Sequence, residues 1–361
     1  MQARFALSEG RLGSLLFLIA VGAVLTMLVS GGLIQRYGSH RLSLAGCLAY
    51  AASLPAVLMV PSVPALGVAL LLYGAAGGAL DVAMNDQAVL VQRRYGRPIM
   101  SSFHALFSVG GLAGAGVGAL VLRLSGTPAQ HAVGAGILIA GASLASFGHL
   151  VGEESGGDAP LFGVSLDRRL AGLCALIFVC FMSEGIVADW SGLYLRDHVG
   201  ASDSVAPLAF AAFSLTMTAG RFLGDRIVHR VGQAATALGG GLLAAAGTAV
   251  ALLAPGAVVA ILGFLVLGAG LSNLVPMIFT KAGNLRGLPS SSGLATVSVA
   301  GYGSFLAGPP LVGYLAELTS LPRALTLLGL FGLAVTASAR AFAPEAPPVP
   351  NCASIGAGEP S

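Results

Sequence analysis

The chain is 361 residues long, 56% hydrophobic and only 9% charged, with a mean hydropathy of +0.87. So few charges cannot clothe a water-facing surface, which excludes a soluble domain of this length and points to an all-α polytopic membrane protein. A net charge of +3 is too small to imply nucleic acid, so the 18 basic residues are read as topology markers.

In chain order, apolar segments of about twenty residues, the length a bilayer needs, fall at 12–34, 42–60, 64–84, 100–122 and 129–151. Six more follow at 170–190, 204–223, 234–253, 258–280, 292–315 and 324–342, predicting 11 transmembrane helices. The first run is long enough to span, and no cleavable signal peptide precedes it. Alternating the loops places 13 of the 18 arginines and lysines at one end, among them Arg93, Arg94 and Arg97. That end is predicted to be cytoplasmic, with the C-terminus inside and the N-terminus outside. Residues 1–151 then form a five-span N-terminal bundle and 170–342 a six-span C-terminal bundle. Between them, 152–169 carries Glu153, Glu154, Asp158 and Asp167 among Gly, Ser and Pro, and reads as a cytoplasmic linker. The tail 343–361, rich in Pro, Ala and Gly, is predicted to be disordered.

The chain resembles itself. At an offset of 190, Leu25, Thr26 and Met27 fall on Leu215, Thr216 and Met217, and Gln35 and Arg36 on Asp225 and Arg226. At 194, Gly74 and Ala75 fall on Gly268 and Ala269, and Leu112, Ala113 and Gly114 on Leu306, Ala307 and Gly308. Two parallel halves follow, and the first is one helix short at its front. Gly110, Gly114 and Gly118 repeat the small-xxx-small spacing that lets helix backbones approach in lipid.

Asp81 lies twelve residues before Arg93, about 18 Å along a helix at ~1.5 Å per residue, past the middle of an apolar core ~30 Å thick. A carboxylate there costs about 2.5–3.5 kcal/mol on insertion scales and is a functional candidate by default. Steps of three and four place Gly74, Gly77, Gly78 and Asn85 on its face, which is not a face for lipid. The alternatives are a proton-binding carboxylate and an acid satisfied by a helix–helix hydrogen bond. His104, on the returning span at the depth of Asn85, is either a proton relay and solute contact or a packed polar group. Glu184 sits in the outer half of its span on a narrow face with Cys180, Ala188 and Ser191. Beyond it Asp189, Trp190 and Tyr194 mark the outer boundary, where aromatic rings anchor to headgroups. The Trp190 ring also suits the apolar side of a sugar. Asn273 and Tyr302 are candidate hydrogen-bond donors to a solute. The sequence contains no HExxH, Walker loop or nucleophile elbow, and its cysteines have no metal-ligand spacing, so no enzyme, cofactor or metal is expected.

Gly31, Gln35, Arg36, Gly38 and Arg41, in GGLIQRYGSHR, resemble the loop motif G-x-x-x-D-R-x-G-x-x-R of the major facilitator superfamily, and GRFLGDRIVHRVG from Gly220 to Gly232 is similar to its second copy. Asp81-Val-Ala-Met-Asn85, GRFLG and ADWSGLYLR resemble the fucose-permease-like branch and its uncharacterised bacterial inner-membrane relatives. The resemblance covers nearly the whole chain. It implies a two-bundle fold of twelve helices, here minus the first, that rocks around a central cavity in the bacterial inner membrane. It further implies proton-coupled transport of a small solute, a sugar or related polar metabolite. The alternatives are a drug or metabolite efflux carrier and a truncated, non-transporting membrane protein. Asp81 matches the family's acid on its helix and is assigned to proton coupling with Glu184. Asn85, His104, Trp190, Asn273 and Tyr302 are assigned to the solute, and Gly31, Arg36, Gly38, Arg41, Arg221, Asp225 and Arg226 to gating. Gln35 replaces the acid of the first loop motif, so the charge contact that family members use as a latch is absent or weakened on that half.

Overall fold

A computed structural model describes residue 5 and residues 9–124, 126–152 and 162–343. The tail from 344 onward, linker residues 153–161 and the topology marker Arg4 lie outside the described residues. All regular structure among the described residues is helical: α1 (Glu9–Tyr37), α2 (Ser39–Met59), α3 (Val63–Tyr95), α4 (Met100–Arg123), α5 (Pro128–Ser146), α6 (Arg168–Asp197), α7 (Leu208–Val231), α8 (Gln233–Leu252), α9 (Ala257–Leu271), α10 (Leu274–Ala282), α11 (Ser290–Leu318) and α12 (Leu321–Ala337). The apolar residues are continuous enough to bury helices on every side, and polar residues supply the ends. Ser62, Thr127 and Ser320 cap α3, α5 and α12, each followed by proline in the first helical turn. Gly96, with φ 71°, ends α3 in the left-handed conformation beside Arg93 and Arg94.

Helices α9 and α10 lie end to end, interrupted at Ser272 and Asn273, and together occupy one span, Ala257–Ala282. Read that way, the rods agree with the eleven predicted segments. Eight are long and apolar enough to cross a membrane by length and composition, and α12 is a shorter apolar helix.

Helix α3 packs most extensively on α1 and α2, and α2 also on α5; in the second half α9 packs on α7 and α8, α8 on α12, and α11 on α6. The two sets meet where α1 and α3 touch α11, and where α4 touches α7. The repeat is visible atom by atom. A Cβ added to Gly74 would stand 2.0 Å from Ile19 O, and one added to Gly268 would stand 2.3 Å from Phe213 O. Both residues of the second contact lie 194 positions after those of the first. Gly38 and Gly232 obey the same step and both turn the chain into the next helix at φ 83°. The 194 register therefore also governs α1 and α7, and the 190 register predicted there is a chance match between low-complexity apolar helices.

Two other expectations change. Gly110 and Gly114 of α4 have nothing within 4 Å of an added Cβ, while one on Gly118 would stand 3.1 Å from the His131 ring of α5, so that run is a packing surface at its last residue alone. Close approach is made instead by Gly22, Gly74 and Gly78 between α1 and α3, and by Gly247 and Gly263 between α8 and α9. Tyr194 does not anchor at the outer boundary: it is 3% exposed and donates its hydroxyl to Ala251 O of α8 at 3.0 Å.

Candidate functional site

Polar side chains gather in three places along the contact between the two sets of helices. In the first, the α3 carboxylate of Asp81 accepts a hydrogen bond from Ser298 Oγ of α11 at 3.1 Å. Asn85, one turn on, is buried and donates to the Asp81 backbone carbonyl at 2.8 Å. Tyr302, one turn beyond Ser298, packs edge-on to Phe181 and Phe305. Its hydroxyl lies within electrostatic reach of Asp81 and of the hydroxyls of Tyr50 and Tyr73, which stack at 4.5 Å and hydrogen-bond to each other. One acid and three phenols, from α2, α3 and α11, thus lie within electrostatic reach of one another. Gly77 makes room for the Tyr50 ring, while Gly74 and Gly78 serve the approach of α1. The phenol pair escapes a sequence reading because Tyr50 and Tyr73 lie on different helices of unrelated pattern.

In the second, Arg221 of α7 is 8% exposed. Its Nη2 meets Glu184 Oε1 of α6 at 3.3 Å and its Nη1 donates to Ser108 Oγ of α4 at 3.1 Å. Nε has no hydrogen-bond partner. His104, one turn before Ser108, lies 5.6 Å from the Phe279 ring of α10 and within electrostatic reach of Arg221, and its Nε2 also lacks a partner. Glu184 keeps 28% of its side-chain surface exposed, so the pair is sealed on the arginine side and open on the carboxylate side. Asn273, at the α9–α10 interruption, is buried against Gly224 of α7, where a Cβ would stand 1.6 Å from its Oδ1. Sequence patterning separates Glu184, His104 and Arg221; the fold joins all three, and Ser108, four residues from His104, was the detectable signal for the α4 face. Trp190 lies farther along α6, with Asp189, Ser304 and Phe305, in a cavity of about 180 Å3 between α6 and α11.

The third cluster closes the arginine-rich end. Asp225 of α7 accepts Ser101 N at 3.0 Å, Ser102 N at 2.9 Å and the Ser102 hydroxyl. It therefore caps the N-terminus of α4 from the opposite half. Gln35 of α1 donates to Ser292 Oγ of α11 at 2.9 Å. Asp86 of α3, 1% exposed, accepts from the Ser290 hydroxyl at the start of α11. Arg93 reaches Asn284 Oδ1 at 2.7 Å and the Gly283 carbonyl. Gly31 lies against the linker at Gly163, whose N donates to Leu28 O at 2.9 Å, and Ser165 N donates to Thr296 Oγ1 of α11 at 2.8 Å. Gly38 makes the α1–α2 turn, and Arg36, Arg41 and Arg226 are exposed at this end.

Apolar rods in two related sets, acids of one set bonded to residues of the other, and a seam that ties them at one end are the features of a multi-pass membrane transporter. The Major Facilitator Superfamily model matches residues 1–288. An uncharacterised MFS-type transporter of Yersinia pestis is 38% identical over 341 residues, covering 94% of this chain and 88% of that protein. The solved structure of the transporter FucP in the outward conformation is similar with a TM-score of 0.77 at 16% identity, covering 95% of this chain and 92% of that one. A variant of the E. coli fucose:proton symporter FucP is similar with a TM-score of 0.75 at 15% identity, covering 93% and 92%. The chain belongs to the Major Facilitator Superfamily, and it is a transporter rather than an enzyme.

Proposed function

We propose that this protein is a secondary transporter of the bacterial inner membrane that moves a small polar solute, a sugar or related metabolite, by alternating access coupled to protons. The observation that carries the reading is Asp81: an acid deep in an apolar helix whose carboxylate accepts a hydrogen bond from Ser298 on the opposing half. A proton on that carboxylate removes a charge at the contact between halves, so loading and conformational change act on the same bond. Residues 1–151 and 170–342 are the two rocking bundles, with the arginine-rich end in the cytoplasm. With that end tied shut by Asp225, Asp86, Arg93 and Gln35, the arrangement is the outward-facing one. Tyr302, Asn85, Trp190, His104 and Asn273 supply solute contacts.

The test is flux into proteoliposomes under an imposed pH gradient with a panel of sugars and polyols, comparing the natural chain with Asp81→Asn. Asparagine keeps size and hydrogen bonding but cannot titrate. Uphill uptake is expected to vanish while solute exchange persists. Uphill uptake at the natural rate in Asp81→Asn rules out Asp81 as the proton site.

A further inference from the structure

The Arg221 guanidinium is only half used. Its Nε and Nη2 form one edge of the planar fork, the edge that receives both oxygens of a carboxylate in a bidentate pair. Glu184 touches that edge with a single oxygen, at a long 3.3 Å from Nη2, and Nε is left without a partner although the residue is more than nine-tenths buried. Beside it His104 Nε2 is also buried and unpartnered, against Phe279. Glu184 keeps 28% of its side-chain surface exposed against 10% for Arg221, so the carboxylate is the more open partner of the pair. The groups that face Arg221 are Glu184 from α6 and His104 and Ser108 from α4, while Cys180 lies behind Glu184.

We infer that the Nε–Nη2 edge of Arg221 is a binding site for the carboxylate of the transported solute, which displaces Glu184, so that the cargo is an organic acid such as a sugar acid. This inference rests on the transporter reading above and narrows its solute class. The exchange balances. The solute carboxylate takes both N–H bonds of the edge, and Glu184, losing its counter-charge in a low-dielectric site, accepts one proton from the outer space. One proton therefore enters at Glu184 with each anion, in addition to the proton proposed for Asp81. His104 Nε2 provides the adjacent contact. A neutral sugar makes none of the bidentate contact and does not compete with Glu184.

The experiment measures thermal stabilisation of the purified full-length protein in detergent by matched acid and neutral pairs: D-galacturonate with D-galactose, D-gluconate with D-glucitol, and L-lactate with propane-1,2-diol. Three proteins are compared, the natural chain, Glu184→Gln and Arg221→Lys. At least one acid is expected to stabilise the natural chain more than its neutral partner. Its apparent affinity should rise about tenfold in Glu184→Gln, where the competing carboxylate is gone, and fall about tenfold in Arg221→Lys, which keeps the charge but not the fork. Should Arg221→Lys fail to fold, Glu184→Gln alone decides, since a merely structural ion pair predicts destabilisation there with no gain in acid affinity. If no acid outperforms its neutral partner in either the natural chain or Glu184→Gln, the inference is overturned. Stabilisation by the neutral members alone also overturns it, yet leaves proton-coupled sugar transport, tested separately through Asp81, intact.

Discussion

Replacing Asp225 by asparagine should open the arginine-rich end. Its carboxylate receives two backbone N–H groups and one hydroxyl at the first turn of α4, at 3.0 and 2.9 Å for the backbone bonds. Asparagine offers one acceptor oxygen in place of two and turns an NH2 group toward a donor. A hydrogen bond to a charged group is worth about 1.5–3 kcal/mol net, and a charge at a helix N-terminus about 0.3–1 kcal/mol. A loss of about 2–3 kcal/mol is therefore expected, and only in the state where α4 and α7 meet. At 1.4 kcal/mol per factor of ten, the closed-to-open ratio at this end falls about 30- to 150-fold. The reporter is Val89→Cys in a chain freed of Cys47, Cys174, Cys180 and Cys352. Val89 is fully buried against Gly283 in the closed seam. Its maleimide labelling rate should rise at least tenfold in Asp225→Asn and much less in Asp225→Glu. A folded Asp225→Asn protein whose rate stays within twofold of its parent refutes the cap as a latch.

Gly74→Ala and Gly268→Ala should each cost about 1–3 kcal/mol by overpacking, because the new Cβ meets a backbone oxygen at 2.0 or 2.3 Å. Gly110→Ala, with nothing within 4 Å, should leave thermal unfolding in detergent unchanged; equal melting losses in all three would contradict the packing. Tyr95→Cys, 63% exposed at the arginine-rich end, should label only from the cytoplasm, and Ser202→Cys at the other end only from outside; the reverse pattern overturns the orientation. Gln35→Glu, which places a carboxylate opposite Ser292 near the start of α11, should strengthen the closed seam by about 1 kcal/mol. Labelling of Val89→Cys then falls about fivefold, and a rise shows that Gln35 is not part of the seam.

Helix number, the arginine-rich end and the doubled architecture were legible because each rests on something the chain repeats: runs of about twenty apolar residues, biased loops, and glycines at matching positions. The register was less legible. Leu, Thr and Met recur often enough in apolar helices to support 190 as well as 194, and only the contacts of Gly74 with Ile19 and of Gly268 with Phe213 separate the two. Among the site residues, Asp81 was visible by depth alone, since a carboxylate surrounded by apolar sequence stands out. Its partner Ser298 was not, because serines are common in α11 and nothing in the pattern selects one of them. Arg221 and Asp225 illustrate the same limit from the other side. Both belong to one loop motif, yet one reaches back along α7 to Glu184 and the other forward to α4, a division set by helix rotation rather than by spacing.

That division suggests how the two jobs of α7 stay separate. The bonds tying the arginine-rich end pair a charged group with a neutral one, as in Asp225 with the α4 backbone, Asp86 with Ser290 and Arg93 with Asn284, or join two neutral groups, as in Gln35 with Ser292. When such a seam opens, each freed group is taken up by water, so each bond contributes only its small net worth and the whole seam is reversible. The Arg221–Glu184 pair differs on each point. It joins α6 to α7 inside one half, with the arginine buried, and the loss of Glu184 would leave the arginine charge without water or counter-charge. Opening the seam need not break that pair; only the bond from Arg221 to Ser108 on α4 crosses between halves. The chemistry that can break the pair is a proton on Glu184 or a competing anion on Arg221, both arriving from the solute side. On the proposed reading, helix α7 carries one group that responds to the cargo and, four residues on, one that holds the gate.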